Sequence, residues 1–249
     1  MQKKITKIKI SIATFGYMPA GFDQKKIETW KSKVFSINGT IQSYALPGNS
    51  DGENWTFTDN KLDNSSQQEF DGDFLIAIVN VPLERNWYTR RLSKNRIFFT
   101  FHEIKEILSF SNIPLENVIY RILYVYTLLY LRNNRIIPLG SDPTDFTHDD
   151  TRGCLFDMNG YKRDIIYSCH HPIICPDCAE RSRKELVSNE VLELVRKEIK
   201  KIKKPLFFRV KDYVQKHPIW SLFFSAIIAI ILGSIGSYIA TVIYEYFKI

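Results

Sequence analysis

Residues 74–81 read FLIAIVNV, a nearly continuous apolar run in the first half of the chain. Such a run, without alternation of polar and apolar residues, is typical of a strand covered on both faces. The sequence therefore predicts a central strand at Phe74–Val81 in a sheet that is packed between other layers. With 249 residues, of which 45% are hydrophobic, the chain can form a sizeable core.

Strands and helices alternate around this run. Further strands are predicted at residues 7–13, 40–45 and 96–101, and helices at 21–35, 102–110 and 115–131. The last helix contains ILYVYTLLYL, but its apolar run between charges is too short for a membrane span, so we interpret it as the core helix. Residues 48–68 are rich in Asn, Asp, Gly and Ser, which predicts a long loop. The pattern indicates an α+β domain with a mixed sheet.

All four cysteines lie between residues 154 and 178, and the segment ends in the motif Cys175-Pro-Asp-Cys178. Two thiolates at this spacing can bind one ion from a single turn, and a tetrahedral zinc ion then needs two more N or S ligands. Cys154, Cys175 and Cys178 are therefore predicted zinc ligands. The fourth ligand is open among four nearby side chains: His148, Cys169, His170 and His171.

Two other roles are open for these thiols. They could be buried apolar side chains without a metal, or the C-x-x-C motif could be a redox pair. Redox motifs of this kind open a helix after a strand, whereas here the motif follows His-His-Pro-Ile-Ile. Structural zinc is the interpretation that we favour.

Residues 219–244 contain no charged side chain over 26 positions. About 20 apolar residues cross the hydrocarbon of a bilayer, so a transmembrane helix is predicted in the segment 218–249. Trp220 and Tyr244 would lie at the two interfaces. Small residues recur every four positions and would allow close helix packing, which predicts a homo-oligomer; these residues are Ser225, Ala229, Gly233 and Ser237.

Positive charge is concentrated beside this helix. Residues 181–217 contain 12 Lys or Arg and 5 Asp or Glu, a surplus of +7 that equals the formal net charge of the whole chain. The remaining residues are neutral overall, which argues against a nucleic-acid-binding surface spread over the fold. Basic segments beside a span stay in the cytoplasm and attract anionic lipid. The predicted partners are thus the bilayer and anionic lipid, with residues 1–217 in the cytoplasm, where thiols stay reduced and bind metal more readily than they form disulfides.

Three regions follow from these features. Residues 1–179 are the predicted cytosolic domain, with the zinc-binding segment at 148–178; residues 180–217 are a basic helix and linker, and 218–249 are the membrane anchor. Within 180–204, apolar residues at helical spacing form a seam of two heptads. So short a seam favours packing on the chain's own domain over a dimeric stalk.

The segment from His148 to Cys178 resembles the C-terminal part of archaemetzincin-type zinc proteases. The residues that carry the resemblance are HDDTRGCLFD from His148, DII from Asp164 and ICPDC from Ile174. By position, His148 matches the third catalytic histidine of that family and Cys154 its second cysteine. Cys175 and Cys178 match the pair that completes the family's structural zinc site. The resemblance implies a zincin-like fold with a structural zinc ion.

The chain also departs from the family pattern. Phe156 stands where the family has a methionine, and Asp149 replaces its first structural cysteine. The H-E-x-x-H motif, which supplies two zinc ligands and a general base, does not occur in the sequence. Its partial echo, His102-Glu-Ile-Lys-Glu106, is more typical of a solvated helix face. These departures imply a degenerate domain that retains the structural half of the site.

The sequence thus predicts a membrane-anchored, zinc-stabilised sensing or interaction module without catalytic activity. The alternative is a divergent zinc-dependent peptidase or hydrolase, whose site would have to combine His102, Glu106 and His148.

One further motif has two readings. Arginines alternate with aromatic residues in the segment 85–91, which contains Arg85, Trp87, Tyr88, Arg90 and Arg91. This pattern can bind phosphate or stacked bases. We favour an ordinary loop after the central strand.

Overall fold

The structure is a computed structural model that describes residues 6–46, 48–65, 69–142 and 144–247. Within these residues there are six strands and nine α-helices. The strands are β1 (Ile8–Phe15), β2 (Phe35–Ile37), β3 (Gln42–Tyr44), β4 (Phe74–Val79), β5 (Thr89–Leu92) and β6 (Arg96–Thr100). The helices are α1 (Gln24–Glu28), α2 (Asp59–Ser65), α3 (Ile104–Phe110), α4 (Glu116–Arg132), α5 (Ile165–Ser168), α6 (Pro176–Lys184), α7 (Asn189–Ile199), α8 (Leu206–Lys216) and α9 (Pro218–Phe247).

The six strands form one mixed sheet in the order β2-β1-β4-β6-β5, with β3 pairing with the end of β1. The central strands β1, β4 and β6 are parallel, and β5 is an antiparallel edge strand. The register brings Ile12, Ile76 and Ile97 side by side. The predicted combination of a mixed sheet with helices is confirmed.

Strand β4 is the centre of the sheet, and all six of its residues are buried. Because side chains alternate along a strand, Phe74, Ile76 and Ile78 join the larger core on one face. Leu75, Ala77 and Val79 join the smaller core on the other face. Burial on both faces explains why the sequence of this strand is apolar at every position, as predicted.

Helix α4 is the central helix of the larger core. Every residue in it except Leu131 is buried, including Arg121 and Tyr124. The prediction of a core helix in this segment is therefore confirmed, and the sheet and α4 together form the scaffold for the candidate site.

Two predicted elements differ from the structure, and an edge strand was not predicted. The helix predicted at 21–35 ends at Glu28, because Thr29 caps it and Val34 and Phe35 are needed at the sheet edge. The predicted loop 48–68 contains helix α2, which is held by the buried Leu62. Strand β5 was not predicted; its residues are mostly half-buried, as is typical of an edge.

The helix predicted at 180–204 is two helices, α6 and α7. The chain breaks between them where Leu186 has φ 62° and Ser188 caps α7 by accepting a hydrogen bond from the Val191 N–H. The seam residues of α7 and the turn after it, Leu192, Val195, Ile199 and Ile202, are buried in the larger core. This helix packs on its own domain, as the sequence favoured.

The chain divides into two compact units, Met1–Lys203 and Lys204–Ile249. Helix α6, which crosses the predicted boundary at residue 179, and helix α7, which lies beyond it, both belong to the first unit. The second unit contains α8, which replaces the predicted linker, and α9. Helix α9 has 30 residues and a mean hydropathy of 2.2, so it is long and apolar enough to cross a membrane.

Candidate metal centre

Two short backbone bridges assemble the site in the segment that follows α4. His148 pairs with residues 156–158: its N–H donates to the Phe156 carbonyl at 3.1 Å, and its carbonyl accepts from the Met158 N–H at 3.0 Å. Cys154 lies beside Ile173, which exchanges hydrogen bonds with Leu155 at 2.8 Å and Gly153 at 2.9 Å. These pairings bring three separate stretches of chain to one point.

The C-x-x-C pair lies at the start of helix α6. Cys175 is the N-cap, Pro176 is at the first helical position, and Cys178 follows in the first turn. Proline suits this position because its fixed φ matches the helix and its missing N–H would be unpaired there anyway.

The ligand atoms of His148, Cys154, Cys175 and Cys178 all lie within 4.8 Å of one another. The His148 Nε2 to Cys175 Sγ distance is 3.7 Å. A tetrahedral site with Zn–S bonds of about 2.3 Å places its ligand atoms roughly 3.5–3.8 Å apart. The three cysteines are buried. This set of one imidazole and three thiols fits zinc.

The orientation of the His148 ring is fixed by a hydrogen bond to a nearby backbone carbonyl. Its Nδ1 lies 2.9 Å from the Asp150 carbonyl oxygen. A carbonyl oxygen can only accept, so Nδ1 carries the proton and the lone pair of Nε2 points to the sulfurs. Histidine ligands of zinc are commonly fixed in this way by a second hydrogen bond.

Asp157 supports the loop that carries Cys154. Its buried carboxylate accepts from the backbone N–H of Cys154 at 3.0 Å and of Arg152 at 3.2 Å. It also lies 3.6 Å from Nε2 of His148. Burial raises the pKa of Asp157 above its ordinary value, and these hydrogen bonds oppose that rise.

Charged groups surround the thiols. Arg152 pairs with Asp150 at 2.9 Å and with Asp177 at 2.5 Å, and it donates to the Cys175 sulfur at 3.8 Å. Three thiolates and one Zn²⁺ ion sum to one negative charge, which this guanidinium lies close enough to stabilise.

The Cys154 thiolate is stabilised by hydrogen bonds. It accepts from the Cys178 thiol and from the backbone N–H of Cys175 at 3.4 Å and of Phe156 at 3.5 Å. These donors, with the Cys178 thiol first among them, lower the pKa of Cys154 despite its burial. A thiolate is the form that binds metal.

The other predicted candidates for the fourth ligand lie outside this group. Cys169 is buried away from it, and burial raises the pKa of that thiol to about 12. The rings of His170 and His171 pack on each other at 4.4 Å, and the His171 N–H donates to the Ile202 carbonyl. Among the described residues, His148 is thus the candidate that lies beside the three predicted cysteines.

The partial H-E-x-x-E motif does not contribute to a metal group among the described residues. Glu103 is paired with Lys162 at 2.8 Å, and this contact lowers its pKa. The predicted helix 102–110 begins at Ile104, so His102 lies in the turn before α3 and does not share a helix face with the exposed Glu106. Asp157 was missed by the sequence reasoning, although an acidic residue inside the apolar stretch CLFDM is a signal for a buried polar role.

No protein-family model matches this chain, and no curated protein matches it. Among solved structures, the crystal structure of archaemetzincin from Methanopyrus kandleri is similar to it, at 9% sequence identity and a TM-score of 0.42. The match covers 75% of this chain and 99% of that chain.

Proposed function

We propose that this chain is a membrane-anchored, zinc-stabilised sensing or interaction module, with a zincin-like domain that is not a peptidase. The four-ligand group His148, Cys154, Cys175 and Cys178 supports this most directly. Zinc with four protein ligands has no open position for water or substrate, so its contribution is structural. Zinc held here would join three stretches of chain inside the larger core.

Helix α4 lines a cavity of the first unit, and the part of α4 that lines it carries no histidine or carboxylate. The residues of α4 that line this cavity are Arg121, Ile122, Val125 and Tyr126. A metalloprotease needs two imidazoles and a carboxylate on such a helix. Their absence from α4 supports a non-catalytic role.

Helices α8 and α9 support attachment to a membrane. One side of α8 carries exposed apolar side chains, which are Leu206, Phe207, Val210, Tyr213 and Val214. Arg209, Lys211 and Lys216 lie at the edges of this side of the helix. Amphipathic helices of this kind lie in the interface and are attracted to anionic lipid. By the positive-inside rule, the first unit lies in the cytoplasm.

A metal count on the full chain, purified in detergent micelles, tests the non-catalytic proposal. We expect one zinc ion per chain, which is lost only when the domain unfolds. A second, exchangeable metal whose removal leaves the fold intact, together with metal-dependent peptide cleavage, would establish the peptidase alternative instead.

The membrane proposal is tested with a polarity-sensitive dye on the full chain in vesicles of phosphatidylcholine and phosphatidylserine. The dye is attached at Val210→Cys or, as the control, at Gln215→Cys, since the native cysteines are buried. We expect a blue-shifted emission at position 210 only, because that side of α8 enters the lipid. Equal emission and equal access to a water-soluble quencher at both positions would contradict the proposal.

A further inference from the structure

A cavity of about 760 Å³ lies between the edge strand β5, helix α4 and the segments 139–142 and 144–147. It contains no residue of the four-ligand metal group. Its size is that of a small-molecule site. Two of the arginines that line it lie on different elements: Arg91 is on strand β5 and Arg121 is on helix α4.

Arg121 is a buried cation without a carboxylate partner among the described residues. It is 3% exposed, and its Nη atoms donate to two neutral oxygens, the Tyr88 hydroxyl at 3.3 Å and the Asp157 carbonyl at 2.8 Å. Its Nε has no hydrogen-bond partner in the described structure. A buried charge with an unused donor is costly unless a further acceptor reaches it.

Arg91, on strand β5, is a second cation of the cavity wall without a carboxylate partner among the described residues. It is half-buried, lies 5.7 Å from the centre of the Phe146 ring and donates to the Thr144 hydroxyl at 3.4 Å. Within the described residues, no carboxylate lies within ion-pair distance of it.

The acidic side chains of the cavity wall are already engaged. Asp59 forms a two-point ion pair with Arg90, and Asp63 pairs with Arg96. Glu84 accepts from the Asp59 N–H at 2.9 Å, and Asp142 accepts from the Leu139 N–H at 2.7 Å. Glu84 and Asp142 have no cation within ion-pair distance in the described part of the chain, so the wall carries both signs of charge. Arg91 and Arg121 are the buried or half-buried cations of the wall that lack an ion-pair partner among the described residues.

Aromatic rings lie next to these two arginines. Trp87, Tyr88, Tyr126 and Phe146 line the same cavity. Burial raises the pKa of Tyr126 to about 12, so its hydroxyl remains a hydrogen-bond donor at neutral pH. Arginines beside aromatic faces suit ligands that combine an anion with a planar ring.

We propose that this cavity binds a small aromatic anion of the nucleoside phosphate class, with the phosphate held by Arg91 and Arg121 and the base against the aromatic wall. The proposal names the ligand of the proposed sensing module and so rests on that function. The ligand proposal does not depend on the four-ligand metal group, so the ligand proposal and the structural role of zinc can be refuted separately.

Titration calorimetry on the full chain in detergent micelles tests this, with a panel of nucleoside monophosphates, the matching nucleosides and inorganic phosphate as probes. We expect at least one monophosphate to bind at least about tenfold more tightly than its nucleoside or inorganic phosphate, because each lacks half of the contacts. Binding should weaken as salt rises.

Arg91→Gln is the decisive variant, since its half-buried side chain can be replaced without leaving a buried charge. It should weaken binding at least about tenfold while zinc content and the thermal midpoint stay unchanged. Arg135→Gln, an exposed arginine outside the cavity, is the matched control.

Three results would overturn the proposal: no binding of any monophosphate at millimolar concentration, equal binding of phosphate alone, or full affinity in Arg91→Gln. If no monophosphate binds, solvent and not a ligand would supply the hydrogen-bond partners of Arg121 Nε and Asn159 Oδ1. Normal binding by a zinc-free but folded chain would refute the structural zinc while leaving the cavity proposal intact.

Discussion

The four buried cysteines differ in what surrounds each sulfur. Cys154 accepts hydrogen bonds from two backbone N–H groups, which favour its thiolate, and Cys175 and Cys178 lie beside it at the start of α6. Cys169 is surrounded by core side chains, and burial raises its pKa. The same residue type therefore serves metal binding in one place and packing in another.

This difference predicts opposite zinc contents for two serine variants. Cys175→Ser should lose the zinc ion and destabilise the domain by about 3 kcal/mol or more, because a ligand of a buried site is removed. Cys169→Ser should cost about 1–3 kcal/mol for a buried hydroxyl but keep one zinc ion per chain. Elemental analysis of the two folded variants checks this, and a zinc-free Cys169→Ser with a zinc-loaded Cys175→Ser would reverse the assignment.

Gly153 provides a second prediction at the residue scale. It has φ +69°, and a Cβ there would lie 3.3 Å from the Tyr167 carbonyl oxygen. Gly153→Ala should destabilise the domain by about 1–2 kcal/mol, measured by denaturant unfolding. Gly160→Ala is the control, because a Cβ at Gly160 meets nothing within 4 Å. Equal stability of both variants would show that the turn before Cys154 is not constrained.

The spacing of Cys175 and Cys178 identified them as candidate ligands, because a C-x-x-C turn is a local feature of the sequence. Cys154 was the nearest further cysteine that matched the family pattern. The sequence left the fourth ligand open, because the position of His148 depends on its bridge to Asp157, which spacing along the chain does not reveal. The roles of the buried residues Asp157 and Arg121 could not be predicted either, because their contacts are set by tertiary packing.

Among the helices, α7 is joined to the domain by a buried carboxylate. Glu198 accepts from the hydroxyls of Ser32 at 2.6 Å and Tyr124 at 2.8 Å, and from the Lys33 N–H at 2.7 Å. These bonds tie the last helix of the first unit to the sheet edge and to α4.

Removing this carboxylate should be costly. Glu198→Ala should destabilise the domain by about 2–4 kcal/mol, because three donors lose their acceptor. Glu193→Ala, on the exposed side of α7, should change stability by less than about 0.5 kcal/mol, since it loses only a surface pair with Arg196. Chemical denaturation of both variants checks this, and a neutral Glu198→Ala would mean that α7 is held by apolar packing alone.

Helix α9 carries the predicted ridge of small residues Ser225, Ala229, Gly233 and Ser237. A Cβ at Gly233 meets nothing within 4 Å in the single chain, so this position accepts a larger side chain. If the ridge mediates self-association, Gly233→Leu should weaken it about threefold to tenfold, while Ile235→Leu, on the opposite side of the helix, should not. Energy transfer between labelled chains in vesicles measures this, and equal signals in both variants would exclude the ridge.

Element predictions were most accurate where burial alone determines the residue pattern. Strand β4 and helix α4 are buried almost throughout, so their apolar runs identify them. The edge strand β5, the short helix α2 and the break between α6 and α7 were missed, because each depends on partial exposure or on one positive-φ residue such as Leu186.

At the scale of the molecule, the two units differ in what stabilises them. The first buries the metal group within the same core as α4 and α7. The second consists of helices α8 and α9, whose apolar side chains are exposed and suited to lipid. The boundary between the units lies after Lys203, since the buried residues of α7 belong to the core of the first unit.

The measurement that tests this account most directly is removal of zinc from the full chain in detergent micelles, with metal release and unfolding followed together. A chelator should remove one zinc ion per chain, and the near-ultraviolet circular dichroism of the first unit should be lost in the same step, while the helical signal of α9 remains. A chain that contains no zinc, or that loses it and keeps its near-ultraviolet spectrum and thermal midpoint, would contradict the structural role of the His148, Cys154, Cys175 and Cys178 group.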